Sequence, residues 1–453
     1  MTRGDGKSSA AGERAALPLD DAIALAVELH RAGQLAEADK VYRQILAAVP
    51  DHPDALHLHG LLRHHQGRSG EAAALIRAAI ARVPEFADYH LNLGNVLLEC
   101  GEPQEAADAY RQALSLRPEF ADAWNNLGAL HRQLGKLGDA EDACRNALAH
   151  DPEHVGAHNN LGLVRAARGD AAAATEYFCR AIVLAPRHPD GHRLLGIAWS
   201  ALGERERAAQ AFADWLAIDP GNPEARHLHA AASGAQDLTR ASDAYLEYAF
   251  DQFATSFEHK LEGLLNYRAP ALIEAAVASR LGAPEGRLAI LDAGCGTGLC
   301  GPRLRPWAAH LAGVDLSSGM LDEARRKGCY DRLDKAELTQ WLRDHAGQLD
   351  VIVAADTLCY FGPLDEVLGA ALAALKPAGL LTFTLEAIVD ADSRLCHEVD
   401  ASGRFRHARR YACACLAAHG FASVEATRES LRDEAGRPVP GLVVTARRSA
   451  DLA

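Results

Sequence analysis

The chain has 453 residues, 49% of them hydrophobic, and its 47 basic and 61 acidic residues give a net formal charge of −14. This length is enough for two or three globular domains, and the acidic balance argues against a broad surface for nucleic acid. Ten cysteines are scattered without a CxxC pair, which favours a reducing compartment such as the cytoplasm over a disulfide framework. No uncharged apolar run approaches the ~18–20 residues that a membrane span requires.

The beginning of the chain, residues 1–18, combines small and charged side chains without an apolar stretch. A secretory signal requires an apolar core segment, so none is predicted here. We expect residues 1–18 to form a disordered tail.

From residue 19 onward, one glycine and one proline recur every 34 residues. The glycines are Gly33, Gly67, Gly101, Gly135, Gly169 and Gly203, and the prolines are Pro50, Pro84, Pro118, Pro152, Pro186 and Pro220. A fixed period of this length predicts a helical solenoid. The glycine is expected where a first helix ends, because it adopts a left-handed conformation easily. The proline is expected to end the second helix, because it cannot extend the hydrogen-bond ladder.

Small residues recur in the same phase, which allows the two helices of each unit to approach closely. With units starting at Leu19, Pro53, Ala87, Ala121, Val155 and Pro189, the eighth position is Ala26, Gly60, Gly94, Gly128, Gly162 and Gly196, and the twentieth is always alanine. Residues 223–233 predict one further helix covering the last unit. The pattern resembles the tetratricopeptide repeat family, so we expect an all-α solenoid of six repeats plus a cap helix over residues 19–233. An ordinary helical bundle would not keep these residues in phase six times.

The 34-residue phase is lost at residues 234–244, where small polar residues predict a linker. Beyond it, apolar runs at 288–292, 310–315, 350–355 and 379–385 are each followed by a helical pattern. Such an alternation predicts a mostly parallel sheet with helices on both faces, the Rossmann-like α/β class, over residues 245–453. Two further runs, near 422–427 and 441–446, are too close for a helix between them and predict an antiparallel hairpin.

A glycine-rich motif, LDAGCGTG at 291–298, directly follows the first predicted strand. Gly294, Gly296 and Gly298 would let a ligand lie against bare backbone, but Leu299 stands where a dinucleotide fingerprint requires its last glycine. Asp292 would repel a pyrophosphate and attract a cationic group. Asp315, at the end of the second strand, is placed to accept hydrogen bonds from a ribose. These residues indicate a ligand with a ribose and an ammonium group but no phosphate.

At these positions the chain resembles the class I S-adenosylmethionine-dependent methyltransferases, over about residues 245–448. The resemblance implies S-adenosylmethionine as cofactor. It implies that the cofactor contacts Asp292, Gly294, Cys295, Gly296, Thr297, Gly298, Asp315, Leu316, Glu337, Leu338, Asp356 and Leu358. The glycine loop and Asp292 would hold the methionine part, Asp315 the ribose and Glu337 the adenine. LKPAGLL at 375–381 resembles the family's turn between a helix and the fifth strand. Residues 248–257 resemble the aromatic N-terminal helix that often covers the cofactor in this family.

Other roles for these residues stay open from the sequence alone. Asp315 could instead cap the following helix, and Asp356 could be an ordinary loop carboxylate. Cys295 and Cys300 are interpreted as packing residues instead of nucleophiles. Possible proton acceptors are His397, His407 and Tyr360, but methyl transfer depends mainly on positioning, so no catalytic base is assigned. No metal site is predicted.

Asparagine occupies the sixth position of three successive units, at Asn92, Asn126 and Asn160. Primary amides offer a donor and an acceptor together, which suits the backbone of an extended peptide. We therefore expect the repeats to bind a protein or peptide through these three residues, as in some peptide-binding repeat proteins. The alternative is that the amides tie neighbouring helices together.

Three functions are consistent with the sequence. The first is a methyltransferase that modifies oxygen or nitrogen on a protein or carrier-borne acceptor recruited by the repeats, as in predicted bacterial methyltransferases with such repeats. The second is an interaction protein whose methyltransferase fold is inactive, although the retained Asp292 and Asp315 argue against it. The third is another nucleotide-dependent enzyme such as a dehydrogenase, which the missing final glycine disfavours.

Overall fold

The computed structural model describes residues 17–235, 238–254, 258, 265–389, 395–400, 402–434 and 437–450. Residues 1–16 of the predicted tail, 236–237 of the predicted linker and 255–257 of the predicted covering helix lie outside this part. The chain divides into two compact units, residues 1–160 and 161–453. This division falls inside a helix of the fifth repeat, so the domain limits derived from the repeat period stay a prediction.

Thirteen consecutive helices occupy the described residues from 19 to 233. They are α1 Leu19–Arg31, α2 Leu35–Ala48, α3 Pro53–His65, α4 Ser69–Arg82, α5 Ala87–Glu99, α6 Pro103–Leu116, α7 Ala121–Gln133, α8 Leu137–His150, α9 Val155–Ala167, α10 Ala171–Leu184, α11 Pro189–Ala201, α12 Arg205–Ile218 and α13 Pro223–Ser233. The repeating glycines separate the two helices of each pair, with φ between 72° and 81° at all six. The predicted helix pairs and the additional helix at 223–233 are confirmed.

The eighth and twenty-fourth positions of a repeat pack directly against each other. A Cβ atom added to Gly94 would lie 2.4 Å from the ring of Tyr110, which is fully buried. The ring hydroxyl donates to Oδ1 of Asn95 at 2.8 Å. The small residue at position eight therefore leaves the space that the large side chain of the second helix fills.

A second recurring contact satisfies the carbonyl group of the repeated proline. The ring N–H of Trp124 donates to the Pro118 carbonyl at 2.7 Å. In the next repeat, His158 Nε2 lies 2.9 Å from the Pro152 carbonyl. The fourth residue of a repeat thus binds a carbonyl that the end of the preceding helix leaves without a helical partner.

The second half of the chain alternates strands and helices, as expected. Its elements are α14 Asp243–Phe253, α15 Ala269–Leu281, β1 Leu288–Ala293, α16 Gly301–Leu304, β2 Ala308–Asp315, α17 Ser318–Lys327, β3 Arg332–Lys335, α18 Leu338–Asp344, β4 Leu349–Ala354, α19 Asp365–Ala374, β5 Leu375–Ala387, β6 His397–Val399, β7 Phe405–His407, α20 Arg409–Ala418, β8 Phe421–Glu434 and β9 Arg437–Arg448. None of the helices in the described ranges is long and apolar enough to cross a bilayer.

The strands form one sheet in which β3, β2, β1, β4 and β5 are parallel neighbours in that order. Strand β9 pairs antiparallel with β5, and β8 pairs antiparallel with β9, which confirms the predicted hairpin. The short antiparallel pair β6–β7 was not predicted. Strand order reverses between β1 and β4, so the loops after these two strands open a crevice, where such folds bind ligands.

Candidate functional site

A cavity of about 470 Å³ lies at the carboxyl ends of the central strands. Its lining comes from the loops after β1, β2, β3 and β4, from α14 and from the β7–β8 region. Ten of the twelve residues predicted to contact the cofactor line it: Asp292, Gly294, Cys295, Gly296, Thr297, Asp315, Leu316, Glu337, Leu338 and Asp356. Parallel strands that end at one edge of the sheet thus bring together residues that lie far apart in the sequence.

Two predicted residues, Gly298 and Leu358, lie outside this lining. A Cβ atom at Gly298 would meet the ring of Tyr330 at 2.9 Å, so this glycine makes room for a neighbouring side chain. Leu358 is buried in the hydrophobic core.

The three glycines of the loop differ in what surrounds them. A Cβ atom at Gly294 would lie 2.3 Å from Oγ1 of Thr357, so this position excludes larger residues because of packing. Gly296 has a φ of 53°, and an added Cβ would meet nothing within 4 Å. Gly296 is therefore the position at which bare backbone faces open space in the cavity.

Asp292 lies beneath this loop and is 1% exposed. Its Oδ2 accepts a 2.6 Å hydrogen bond from the Tyr330 hydroxyl. The pKa of Asp292 is raised to about 7. Burial is the main cause and nearby Asp315 adds to it, while the hydrogen bond from Tyr330 acts in the opposite direction. A cationic group that binds next to this buried carboxyl group would favour its ionised form.

Asp315 ties the glycine loop to the start of the next helix. Its Oδ2 accepts from the backbone N–H of Gly296 and its Oδ1 from that of Ser317, both at 2.9 Å. The cap of α17 is Ser317, whose hydroxyl oxygen accepts from the Met320 N–H. The capping role considered for Asp315 thus belongs to Ser317. Burial raises the pKa of Asp315, and the hydrogen bonds it accepts from backbone N–H groups lower it.

Glu337 stands at the first turn of α18. Its carboxylate accepts from the backbone N–H groups of Thr339 and Gln340, at 3.0 and 2.8 Å, and pairs with Nη1 of Arg240 at 2.7 Å. Burial alone would raise the pKa of Glu337, but these hydrogen bonds and Arg240 lower it, so the side chain stays ionised. Arg240 was not predicted, because it lies 97 residues earlier in the chain.

Asp356 has an unusual backbone conformation for a residue other than glycine, with a φ of 50°. Its N–H donates to the Thr384 hydroxyl, which in turn donates to Oδ1. Its Oδ2 accepts from Nη1 of Arg432 at 3.0 Å. A strained residue held by three specific contacts beside a cavity is a feature of functional sites.

The helix α14 covers one side of the cavity with Leu246 and Phe250. The Phe250 ring packs edge-on against Tyr360, with 5.7 Å between the centroids. Asp251 fastens the helix, because its Oδ1 accepts from the Gly319 N–H at 3.0 Å. The described part of the predicted covering helix, 248–254, therefore lies beside the predicted cofactor residues.

Cys295 and Cys300 are buried thiols, and the two histidines that could accept a proton lie outside the cavity lining. Burial raises the pKa values of Cys295 and Cys300 well above their usual range, so both remain thiols. His407 binds the Gly362 carbonyl at 2.8 Å, and burial lowers its pKa to about 4. Neither His407 nor His397 lines the cavity, whereas Tyr360 does.

The three asparagines predicted to bind peptide lie in the first compact unit and are half-buried. Each amide contacts a side chain of the preceding repeat. Asn92 Nδ2 lies 2.9 Å from His57 Nε2, Asn126 donates to Asn95 Oδ1, and Asn160 donates to Asn125 Oδ1. The amides therefore make the inter-helix ties that were considered as the alternative, and peptide binding stays a prediction.

The cavity has the donors and acceptors that the methionine part of S-adenosylmethionine requires. Thr297 is 1% exposed, and its hydroxyl has no hydrogen-bond partner among the described residues. It lies in the loop that carries the open backbone of Gly296, above the buried carboxylate of Asp292. An unpaired hydroxyl, bare backbone and a buried carboxylate suit a ligand that carries both an ammonium and a carboxylate group.

Comparison with known proteins gives two families on separate parts of the chain. The model of a methyltransferase domain matches residues 291–381. The model of the tetratricopeptide repeat matches residues 23–86, 59–119, 91–154, 131–189 and 160–223. These ranges contain, respectively, the glycine motif and the 34-residue repeats.

The curated relatives are methyltransferases by name. Human methyltransferase-like protein 27 is 35% identical over 156 residues, which are 34% of this chain and 61% of that protein. Malonyl-[acyl-carrier protein] O-methyltransferase of Priestia megaterium is 38% identical over 107 residues, 21% of this chain and 36% of that protein. The chain thus spans less than two thirds of the length of either relative.

Among solved structures, PilW, a type IV pilus biogenesis factor, is 22% identical with a TM-score of 0.43, covering 46% of this chain and 96% of PilW. The repeat period, the helix pairs, the parallel sheet with its glycine loop and both family matches agree. The chain is a tetratricopeptide-repeat protein that also carries a methyltransferase domain.

Proposed function

We propose that the chain transfers the methyl group of S-adenosylmethionine to an acceptor, and that its repeats recruit a protein or carrier-borne acceptor in the cytoplasm. The observation that carries the first part is the position of Asp292, a buried carboxylate beneath the open backbone of Gly296. This arrangement suits an ammonium group lying against the loop, whereas the carboxylate would repel a phosphate there.

The proposal gives separate roles to the predicted cofactor residues that line the cavity. Asp292 and the loop from Gly294 to Thr297 bind the methionine part, Asp315 and Leu316 the ribose, and Glu337 and Leu338 the adenine. When bound, the cofactor supplies a methyl group attached to a sulfonium, and the sulfur is a good leaving group. The chain contributes orientation and exclusion of water, because Leu246 and Phe250 of α14 cover the cavity.

Two features support a recruited acceptor. The repeats belong to a family of protein-interaction modules, and one relative of the methyltransferase domain acts, according to its name, on a group attached to an acyl-carrier protein. An acceptor held on a second macromolecule explains why one chain combines both parts.

Calorimetric titration of the full chain with S-adenosylhomocysteine and with NAD tests the cofactor assignment. We expect S-adenosylhomocysteine to bind at one site and NAD not to bind. Binding of NAD alone would indicate a different nucleotide-dependent enzyme. A chain that binds neither compound would be an interaction protein with an inactive methyltransferase fold.

A further inference from the structure

The cavity lining also contains residues that have no role in the cofactor assignment. Together with Asp356, which is itself one of the predicted cofactor contacts, they form what is here termed the acceptor end: Tyr267, Tyr360, Arg404, Arg432 and Glu434. These residues come from the segment before α15, from the loop after β4, from the residue before β7 and from the end of β8. A methyl acceptor must share a cavity with its donor, so the charge and hydrogen-bond groups of the acceptor end select its chemistry.

Each of the three guanidinium nitrogens of Arg432 meets a carboxylate. The side chain is 4% exposed, and its Nε donates to Glu434 at 2.8 Å and its Nη1 to Asp356 at 3.0 Å. The remaining nitrogen, Nη2, pairs with Glu386, which is 2% exposed. A buried guanidinium paired in this way organises the site.

Arg404 contacts two of the same carboxylates. Its Nε pairs with Glu386 at 2.7 Å and its Nη2 with Glu434 at 2.6 Å, while its Nη1 has no partner among the described residues. Together the cluster contains the carboxylates of Asp356, Glu386 and Glu434 against the guanidinium groups of Arg404 and Arg432. Arg406 joins this cluster through its Nε, 4.0 Å from Oε2 of Glu386, and pairs with Asp400 at 2.9 Å. With Arg406 and Asp400 included, four carboxylates face three guanidinium groups, which leaves an excess of one negative charge.

Besides Nη1 of Arg404, the groups that remain open at the acceptor end are a carboxylate oxygen and aromatic rings. Both arginines contact Oε1 of Glu434, while Oε2 has no partner among the described residues, and the side chain is 41% exposed. Burial, together with nearby charged or polar groups, raises the pKa values of Tyr267 and Tyr360 well above their usual range, so both remain neutral phenols. A negative cluster lined by phenol rings attracts a cation and repels an anion.

We propose that the acceptor end binds an amine as the methyl acceptor, with its ammonium form drawn toward Glu434 and Asp356 beside Tyr267. This inference rests on the proposed methyltransferase function and specifies its acceptor atom. The bound ammonium gives one proton to water. The neutral nitrogen then forms a bond to the methyl carbon as the carbon–sulfur bond breaks, and the sulfur keeps the bonding electron pair. A second proton leaves the nitrogen when the product is released as a neutral amine.

Sinefungin is the probe that tests this proposal. In this analogue an amine-bearing carbon replaces the methylated sulfur of S-adenosylmethionine. Its ammonium group thus occupies the place where methyl group and acceptor meet. We expect the full chain to bind sinefungin about tenfold more tightly than S-adenosylhomocysteine in calorimetric titrations, as for a charge-assisted hydrogen bond. Equal affinities would overturn the amine assignment alone, and weaker binding of sinefungin would indicate an anionic acceptor. Failure of both ligands to bind would overturn the proposed function and this inference with it.

Two variants locate the effect. Glu434→Gln and Tyr267→Phe remove only a charge or a hydroxyl, and we expect each to reduce the preference for sinefungin while leaving the affinity for S-adenosylhomocysteine unchanged. Glu429→Gln, on the same strand as Glu434 and outside the cavity lining, is the matched control. A preference that survives both cavity variants would show that the acceptor end does not bind the amine.

Discussion

The Tyr330 hydroxyl donates a 2.6 Å hydrogen bond to the buried carboxylate of Asp292. The Tyr330 ring also packs against Gly298, so one side chain both supports the glycine loop and sets the charge beneath it. The hydrogen bond lowers the pKa of Asp292 against the larger effect of burial, which brings it to about 7. A group with this pKa changes charge within the physiological range, and ligand binding should follow it.

The first prediction is that affinity for S-adenosylhomocysteine falls as the pH decreases from about 8 to about 6, because Asp292 becomes neutral and no longer attracts the ammonium group. Tyr330→Phe removes the hydrogen bond that lowers the pKa of Asp292, so the midpoint of the affinity profile should move to higher pH. Titration calorimetry at several pH values measures both effects. Tyr411→Phe, which removes a hydroxyl outside the cavity lining, should leave the midpoint in place, and a profile independent of pH in the wild type would contradict the role of Asp292.

The second prediction concerns the stability of the ligand-free protein. A carboxyl group whose pKa is higher in the folded than in the unfolded state lowers stability progressively as the pH rises between the two values, here from about 4 to about 7. Asp292→Asn removes this penalty, and its side-chain oxygen can still accept from Tyr330. At about pH 8 the free energy of unfolding should therefore increase, on the order of 2 kcal/mol, while ligand binding is lost.

Differential scanning calorimetry at about pH 8 and about pH 4.5 measures this difference. The stabilisation should be nearly absent at the lower pH, where Asp292 is neutral in both states. An equal effect at both pH values would mean that packing, and not charge, determines the result. Asp322→Asn is the control, because that carboxylate is 62% exposed on α17.

Both folds could be predicted from periodicity, whereas most of the acceptor end could not. The repeating glycines and prolines specify helix ends locally, and apolar runs such as 350–355 specify buried strands, so each signal lies within a short stretch of sequence. Strand β3 has no apolar run that would predict it from the sequence, because its four residues are exposed or half-exposed. Arg404 and Arg432 reach the cavity, and Tyr330 reaches Asp292, through contacts between distant segments of the chain, which no local sequence pattern predicts.

The third prediction compares two glycines with positive φ and free space around them. Gly296→Val places a branched side chain in the cavity where the ligand must touch backbone, so binding of S-adenosylhomocysteine should be lost. Gly347→Val is the matched control, because Gly347 has a φ of 68° and an added Cβ there also meets nothing within 4 Å, but it lies outside the cavity lining. Calorimetry should show similar destabilisation of both variants and loss of binding only in the first. Near wild-type affinity of Gly296→Val would contradict the cofactor site.

The fourth prediction tests the ribose contact. Asp315 retains acceptor capacity beyond its hydrogen bonds from Gly296 and Ser317. The wild type should bind S-adenosylhomocysteine more tightly than its 2′-deoxy analogue, by about 1–3 kcal/mol for a charge-assisted bond. Asp315→Ala should weaken both ligands, because the loop loses its tie, and should bind the two about equally. If the variant still discriminates against the deoxy analogue, another residue binds the ribose.

The last prediction ranks the asparagines of the repeats by what each leaves behind. Asn92→Ala removes the described hydrogen-bond partner of Nε2 in His57, a buried side chain whose pKa burial lowers to about 4 and which is therefore neutral. Asn126→Ala removes one donor from Asn95, which still accepts from Tyr110. The first variant should cost about 1–3 kcal/mol and the second less than about 1 kcal/mol, because an unsatisfied buried group costs more than a lost extra bond.

Thermal unfolding of the two single variants measures this ranking, and Ser115→Ala, which removes an exposed bond within one helix, is the control. If the three asparagines also bind the acceptor, the triple variant Asn92→Ala, Asn126→Ala and Asn160→Ala should have a higher apparent KM for a recruited acceptor. Its affinity for S-adenosylhomocysteine should stay constant. An unchanged KM in a variant that has lost stability would assign the asparagines to the inter-helix ties alone, and the docking surface would have to lie elsewhere on the repeats.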